Sequence, residues 1–298
     1  MKVLILINAY SEDEEYLYQS ARMKQEFERV GVVADVMRND DFRLEIERST
    51  INNTYSEYDC CIYWDKDKYI LNMLKTLGIR TFNGESAIEK CDDKMITYIE
   101  MAGHGIPLPR TLPGQLCYDQ DAAIKEQTVA IVEDRLGYPV IIKNSYGSRG
   151  KGVFLVRDRV ELLTKMEEVK CIPHLFQEYV PSSYGKDLRV IVIGDKVIGG
   201  MLRKSKGDFR SNIGVGGTGE NYPLTPKIRE MCLKIAEILG LDYCGIDLLF
   251  GEKDFLVCEV NSNAFFFAFE KATGINVAKA YVTYVIDKIK GDSANERS

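Results

Sequence analysis

Two apolar runs joined by Gly-Glu-Lys-Asp make up residues 242–263, and three polar side chains lie inside them. The runs are rich in β-branched and aromatic residues, a pattern typical of a β-hairpin. Buried strands do not carry side chains such as Asp247, Glu259 and Asn261 without partners. Glu259 and Asn261 are two residues apart, so they share one face of their strand. This hairpin therefore predicts a cluster of polar groups in the interior.

The register of the hairpin decides whether Asp247 joins that cluster. Asp247 shares that face if the loop has odd length, for instance with Phe250 opposite Leu256, because a shift of one residue would turn it to the other face of the sheet. The cluster would then hold two carboxylates and one amide oxygen, which are hard ligands that suit Mg²⁺. From the hairpin alone, a polar sheet end hydrated by water is an equally good interpretation.

Composition and charge narrow the possible partners. The chain has 298 residues, 45% of them apolar, a net charge of −6 and a pI near 5.3. It is long enough for two domains or one large one. An acidic surface predicts neither nucleic-acid nor membrane partners. No apolar run reaches the roughly 18 residues of a membrane span, and the apolar start is too short for a signal peptide, so we expect a cytoplasmic protein.

The cysteines and histidines of the chain argue against disulfides, zinc sites and Ser-His-Asp catalysis. The eight cysteines are scattered, without a Cys-x-x-Cys pair, and we expect buried thiols rather than disulfides or zinc ligands. Only two histidines are present, so Ser-His-Asp chemistry has little support.

Strands and helices alternate over the first 85 residues and predict a Rossmann-like unit with a parallel sheet. The predicted strands are 2–8, 32–37, 58–64 and 80–83, and the predicted helices are 14–30 and 68–77. The first turn, Asn8-Ala-Tyr-Ser, lacks the glycines that a dinucleotide needs. We instead expect a substrate-side role near Asn8, Tyr10 and Trp64, at the carboxyl ends of the strands.

A lysine and a glycine-rich loop follow a predicted helix over 86–103. Lys143 interrupts an apolar strand, and a lysine placed there needs an anion. The segment 146–152 after it, hereafter the flap, carries three glycines and two cations, so its backbone N–H groups could close over phosphates. A plain glycine-rich hairpin is the alternative.

A predicted hairpin, 188–193 with 196–202, is followed by a local concentration of positive charge. Arg203, Lys204, Lys206 and Arg210 lie within eight positions of an otherwise acidic chain. The stretch 214–219 matches G-x-G-x-x-G by letter, but it has no strand before it and no helix after it, so we expect a loop beside the substrate. Further helices are predicted from Thr225 and over 276–290.

The order of these parts resembles the ATP-grasp superfamily, and most closely its RimK-like branch of carboxylate–amine ligases. The match covers about residues 88–290, and the motifs that carry it are Cys91–Thr97, Pro139–Lys143 with the flap, Gln177–Val180, Asp187–Arg189, Gly207–Asn212, and Asp247 with Glu259–Asn261. The resemblance implies an α/β (α+β) fold. It consists of an N-terminal Rossmann-like pre-ATP-grasp domain (1–88), a two-subdomain ATP-grasp domain (89–291) and a frayed tail (292–298).

The resemblance also implies a role for each motif residue. ATP would be bound by phosphate-contacting lysines, flap residues, a hinge strand around the adenine and polar groups near the ribose: Lys94, Lys143, Gly147, Ser148, Gly150, Gly152, Glu178, Tyr179, Val180, Asp187 and Arg189. Arg210 and Asn212 would lie by the γ-phosphate and the acyl group as catalytic residues. Asp247, Glu259 and Asn261 would bind two Mg²⁺ ions, for which Mn²⁺ could substitute.

By this resemblance the chain is an ATP-dependent ligase that joins an amino-acid or peptide carboxylate to an amine through an acyl phosphate, with release of ADP and phosphate. The implied partners are small-molecule or peptide substrates and, as in many relatives, a second copy of the chain. A non-catalytic ATP-binding regulatory module is the alternative, and a carboxylase or phosphotransferase would differ in its acceptor. The segment 261–268, with three adjacent phenylalanines, departs from the Asn-x-x-Pro-Gly type of glutamate-adding members and leaves the acceptor open.

Overall fold

The computed structural model describes residues 1–40, 44–52, 55–211 and 217–295. Its strands are β1 Lys2–Ile7, β2 Val33–Arg38, β3 Glu45–Glu47, β4 Thr50–Asn52, β5 Cys60–Trp64, β6 Thr81–Phe82, β7 Thr111–Pro113, β8 Val140–Asn144, β9 Val153–Val156, β10 His174–Glu178, β11 Lys186–Ile193, β12 Lys196–Lys204, β13 Thr218–Asn221, β14 Tyr243–Phe250 and β15 Phe255–Asn261. Its α-helices are α1 Glu14–Arg29, α2 Lys68–Thr76, α3 Glu85–Asp92, α4 Lys94–Met101, α5 Glu126–Leu136, α6 Arg159–Val169, α7 Pro226–Leu239, α8 Phe267–Thr273 and α9 Val277–Asn295. A short 3₁₀ helix spans Pro181–Ser183.

The first sheet is parallel, with strand order β2-β1-β5-β6. Its strands are nearly continuous apolar runs because helices cover both faces. Met23 and Phe27 of α1 pack on one face, and Leu71 and Leu74 of α2 pack on the other. The alternation of strands and helices predicted this parallel arrangement.

Two antiparallel sheets follow. The order β7-β10-β8-β9 forms the second sheet, and α5 and α6 cover one of its faces. The third sheet has the order β13-β12-β11-β14-β15, and α7 packs against it. The faces of these two sheets that lack those helices position the candidate site.

One apolar cluster joins the first sheet to the third. Trp64 is 2% exposed, and its ring meets Tyr243 edge-on with centroids 5.4 Å apart. The expectation that Trp64 faces substrate is therefore wrong, because strand alternation turns its ring toward the side of the sheet that α9 covers. Asn8 binds Asp65 through its side chain, whereas Tyr10 is 94% exposed.

Other boundaries differ from the predicted ones. The helix expected over 86–103 is broken at Asp93, which is extended and accepts hydrogen bonds from the N–H groups of Met95 and Ile96. An aspartate that caps a new helix stops the preceding one. Strand β13 begins at Thr218, within the predicted loop, and α9 continues beyond position 290 to Asn295. The pair β3–β4 was not predicted.

All eight cysteines are free thiols, five of them buried. Within the described ranges, no helix has the length and apolar character needed to cross a membrane.

Candidate active site

A cleft lined by residues of both sheets lies between the second and third sheets. Most of the predicted site residues line it: Lys94, Lys143, Gly147, Ser148, Gly150, Glu178, Tyr179, Val180, Asp187, Arg210, Asp247 and Glu259. Residues more than 160 positions apart in the chain are thus gathered around one space.

Strand alternation places Lys143 in the cleft. Val140 and Ile142 pack against α5 and α6, so Ile141 and Lys143 point the opposite way. Lys143 is 6% exposed, and its Nζ lies 3.6 Å from Sγ of Cys258. Among the residues that the structure describes, no carboxylate oxygen lies within 4 Å of this Nζ. Burial lowers the pKa of Lys143, but the neighbouring Cys258, Tyr98 and Glu259 raise it overall, so the side chain stays protonated at neutral pH.

The side chain of Glu178, at the end of β10, is bound to a neighbouring arginine. Its carboxylate accepts hydrogen bonds from the backbone N–H of Arg110 at 2.9 Å and from the Arg110 Nε at 2.7 Å. The next residues, Tyr179 and Val180, leave the sheet and line the cleft. Both carboxylate oxygens of Glu178 are thus occupied by Arg110.

The flap connects β8 to β9 and is held by two cations of the cleft. Lys94 Nζ donates to the carbonyl of Gly147 at 2.8 Å, and Arg210 Nη1 donates to the carbonyl of Gly150 at 3.0 Å. Gly152 has a φ of +73°, and a Cβ there would lie 2.7 Å from Nδ2 of Asn144. The flap therefore needs glycine at this position for both conformation and space.

Asp247, Glu259 and Asn261 lie on one face of the third sheet. The loop of the hairpin is one residue shorter than predicted, because Phe250 pairs with Phe255 and not with Leu256. A β-bulge at Cys258 inserts the missing residue, so Asp247 lies directly opposite Glu259. The predicted loop register is thus wrong, while the predicted pairing of the two carboxylates is present.

Asp247 is part of a buried chain of four charged groups. Its Oδ1 and Oδ2 accept hydrogen bonds from Arg189 Nε and Nη2 at 2.7 and 2.8 Å. Arg203 Nη2 lies 2.9 Å from Oδ2 of Asp247. The same guanidinium binds Asp187 through Nε at 2.7 Å and Nη2 at 2.5 Å. Burial raises the pKa of the Asp247 carboxyl, but the two guanidiniums outweigh burial and hold it below its usual range.

A model of the RimK-like ATP-grasp domain matches residues 91–285. The chain belongs to this family. The match confirms the resemblance drawn from the ordered motifs, and it covers the cleft and both sheets around it.

Two relatives are similar to about three quarters of this chain. N-acetylaspartylglutamate synthase A of Homo sapiens is 40% identical over 225 residues, which cover 74% of this chain and 56% of that protein. The chain therefore spans little more than half the length of that relative. A probable alpha-L-glutamate ligase of Legionella pneumophila (strain Corby) is 33% identical over 232 residues, which cover 76% of this chain and 74% of that protein.

A solved structure confirms the fold class. The ATP-grasp ligase PsnB, complexed with minimal precursor, Mg and ADP, superposes with a TM-score of 0.70 at 17% identity, covering 97% of this chain and 98% of that one. The fold is thus that of ATP-grasp ligases.

The donor set of this RimK-like cleft fits a hard divalent cation. Asp247 and Glu259 supply carboxylates, and Nδ2 of Asn261 lies 3.4 Å from Oδ2 of Asp247, which brings the amide group to the same place. Oδ1 of Asp247 accepts one bond from arginine and keeps a lone pair, whereas Oδ2 meets both guanidiniums. In the described parts of the chain, no group of three His, Cys, Asp or Glu side chains has metal-binding geometry, so the amide oxygen would be the third ligand.

Some predicted residues of the RimK-like site lie elsewhere. Gly152, Arg189 and Asn261 are not among the residues that line the cleft, although Arg189 and Asn261 both bond to Asp247, which does line it. Asp187 lines the cleft, but both of its carboxylate oxygens bind Arg203. Asn212 lies outside the described residues.

The sequence analysis assigned no individual role to several lining residues: Ile141, Val153, Gln177, Ser183, Lys186, Phe209, Ser211, Leu249 and Cys258. A signal existed for Ile141 and Leu249, which stand two residues from Lys143 and Asp247 and so share their faces. Cys258 had none, because its position depends on the bulge.

Proposed function

We propose that this chain is an ATP- and Mg²⁺-dependent ligase that joins a carboxylate to an amine through an acyl phosphate. The observation that carries the proposal is Lys143, a buried ammonium with no described carboxylate within 4 Å of its Nζ, beside a flap of backbone N–H groups. A buried cation requires an anion, and a phosphate chain of ATP supplies one.

The arrangement suits phosphoryl transfer. In the proposed reaction a carboxylate oxygen attacks the γ-phosphorus and ADP leaves; the amine nitrogen then attacks the acyl carbon, and phosphate leaves as the amine loses a proton. Such transfer depends on positioned cations more than on a protein nucleophile. Lys94, Lys143 and Arg210 provide three cations in the cleft, two of which also hold the flap.

The carboxylates of the third sheet would hold the metal. Asp247 and Glu259, with the amide oxygen of Asn261, are the proposed ligands of one or two Mg²⁺ ions, and Mn²⁺ is a candidate substitute. When bound, the metal neutralises charge on the phosphate oxygens. Arg189 and Arg203 orient Asp247 for this task through the bonds described above.

We propose small molecules or short peptides as substrates and an amino acid as the amine. Glutamate is the first amine to test, because both curated relatives carry glutamate in their names. The segment with three adjacent phenylalanines, 265–267, contacts the flap through Phe265 and differs from the glycine-containing loop expected of glutamate-adding enzymes.

The test is product identification. Purified protein is incubated with ATP, Mg²⁺ and pairs of carboxylates and amines, and ADP, phosphate and the new amide are quantified by chromatography and mass spectrometry. We expect one ADP and one phosphate per amide; AMP and pyrophosphate, or tight ATP binding without product from any pair, would contradict the proposal.

A variant pair links the activity to the cleft. Lys143→Met should lower kcat by about 100-fold or more, the usual loss when one electrostatic contact to the reacting group is removed. Lys196→Met, at an exposed lysine outside the cleft, should leave kcat unchanged.

A further inference from the structure

The flap is held from outside the ATP-grasp domain as well as from within it. Besides the bonds from Lys94 and Arg210, Arg149 Nη1 lies 2.5 Å from Oδ2 of Asp13. Asp13 precedes α1 and belongs to the unit built on the first parallel sheet. A flap residue is thus ion-paired to a part of the chain more than 130 positions away, which the RimK-like match at 91–285 does not include.

Two further contacts lie at the same junction. The guanidinium carbon of Arg149 lies 4.9 Å from the ring centroid of Phe265, within the range of a cation–π interaction. Lys68, at the start of α2, places its Nζ 5.5 Å from the ring centroid of Tyr146. The first and fourth residues of the flap therefore both meet side chains of the first-sheet unit.

One carboxylate oxygen of Asp13 caps α1, and the other contacts the flap. Its Oδ1 accepts a hydrogen bond from the N–H of Glu15 at 3.0 Å and caps α1, which fixes the rotamer and leaves Oδ2 for Arg149. The bond from Arg149 is also the main reason that the pKa of Asp13 is lowered. Phe265 is supported in turn by Tyr16 of α1, whose ring it meets edge-on at 6.1 Å.

Arg149 adopts a left-handed backbone conformation, with a φ of +57°. This conformation is unfavourable for a residue other than glycine. The ion pair with Asp13 exists only while the flap lies against the first-sheet unit, whereas Phe265 belongs to the loop between β15 and α8.

We propose that Asp13 is a positioning residue that, through Arg149, fastens the closed flap to the first-sheet unit. The inference rests on the proposed function, since it assumes that the flap covers a bound nucleotide. An acyl phosphate is hydrolysed if water enters, so a flap anchored on both sides protects the intermediate better than one anchored on the cleft side alone.

Limited trypsin digestion tests the anchor without catalysis. The flap offers a cleavage site after Lys151, and the rate of cleavage there reports how often the flap opens. Cleavage is followed by mass spectrometry with Mg²⁺ and a non-hydrolysable ATP analogue present. Asp13→Asn keeps a capping side chain but removes the ion pair, and the cleavage rate should rise about three-fold, as expected for a partly exposed pair.

Asp67→Asn is the matched control. Asp67 caps α2 in the same unit, accepting from the N–H groups of Tyr69 and Ile70, and the described structure gives it no bond to the flap. This variant should be cleaved at the wild-type rate.

Reversing both charges gives an independent test of the ion pair between Asp13 and Arg149. Arg149→Glu should also raise cleavage after Lys151, and the double variant Asp13→Lys/Arg149→Glu should return it toward the wild-type rate, because the pair is restored with opposite signs. With active protein, Asp13→Asn should also raise the ADP released per amide formed.

The outcomes separate the two ideas. If the nucleotide analogue does not protect wild-type protein from trypsin, the proposed ATP-dependent function is in error. If wild type is protected and Asp13→Asn is protected equally, or if the double variant shows no recovery, the positioning role of Asp13 is overturned while the function stands.

Discussion

Arg203→Met tests the buried ion network behind the cleft. Arg203 is 4% exposed and binds Asp187 through two N–H groups and Asp247 through one. Methionine keeps much of the apolar volume but removes the charge. Asp247 would retain Arg189, whereas Asp187 would have no described cation within 4 Å of its carboxylate.

The expected loss follows from this geometry. Removing one partner of a buried ion pair costs about 3–5 kcal/mol, because the other charge stays buried and unpaired. With a urea m-value of about 3 kcal/mol/M, the unfolding midpoint should fall by about 1–1.7 M. The chain has one tryptophan, Trp64, which is buried, so its fluorescence reports the transition.

The loss should depend on pH in a defined direction. Asp247 has a pKa below its usual range, so its contribution to stability is present above the unfolded-state pKa and is lost as the pH falls through the folded-state pKa. Removing Arg203 removes one of the two guanidiniums that lower this pKa. The difference between variant and wild type should therefore be largest near pH 7 and shrink toward pH 3.

Lys204→Met is the control, since Lys204 is the exposed neighbour of Arg203 and pairs with Glu220 at the surface. It should cost less than about 1 kcal/mol. A loss for Arg203→Met as small as that of the control, or a loss that does not change with pH, would refute the claim that these four charges are mutually dependent.

Three further predictions concern the metal, a buried carboxyl and the flap. Glu259→Gln should raise the Mg²⁺ concentration for half-maximal activity about 10-fold or more, measured by metal titration, because one anionic ligand becomes neutral; an unchanged titration would exclude Glu259 as a ligand. Burial raises the pKa of Asp242, so this group makes stability fall as the pH rises through its folded-state pKa. Asp242→Asn should remove that decline from urea midpoints recorded between pH 4 and 7, and an identical pH profile would contradict it. Gly152→Ala should cost about 1–2 kcal/mol and weaken ATP binding in calorimetry, because φ is +73° and the new Cβ would meet Asn144. Gly78→Ala, with a φ of +74° and nothing within 4 Å of the new Cβ, is its control, and equal behaviour of the two would show that the flap has room for a side chain.

Local patterns sufficed for several parts of the site. A lysine within the apolar strand 140–144 indicated a buried cation facing an anion, and the structure places Lys143 in the cleft. Glycines within 146–152 indicated the flap, and three of them have positive φ angles. These features depend on residue type and near neighbours, which the sequence contains.

Features that depend on distant neighbours were not predictable in this way. Trp64 follows an apolar strand whose end could face substrate or core, and only the packing of α9 and Tyr243 decides for the core. Likewise, nothing in the motif around Arg149 indicates that its partner is Asp13, because the two approach only when the first-sheet unit and the flap meet.

The sequence by itself determined which residues are charged within apolar strands, and therefore that Asp187, Arg203, Asp247 and Glu259 need partners. Tertiary structure decided which partners they have, through one β-bulge in each hairpin of the third sheet. Without the bulge between β11 and β12, Asp187 would lie opposite Leu202; with it, Asp187 meets Arg203. The physical reason is that side chains alternate between faces, so one inserted residue changes every pair beyond it, and only the packing of the whole sheet selects where that residue is inserted.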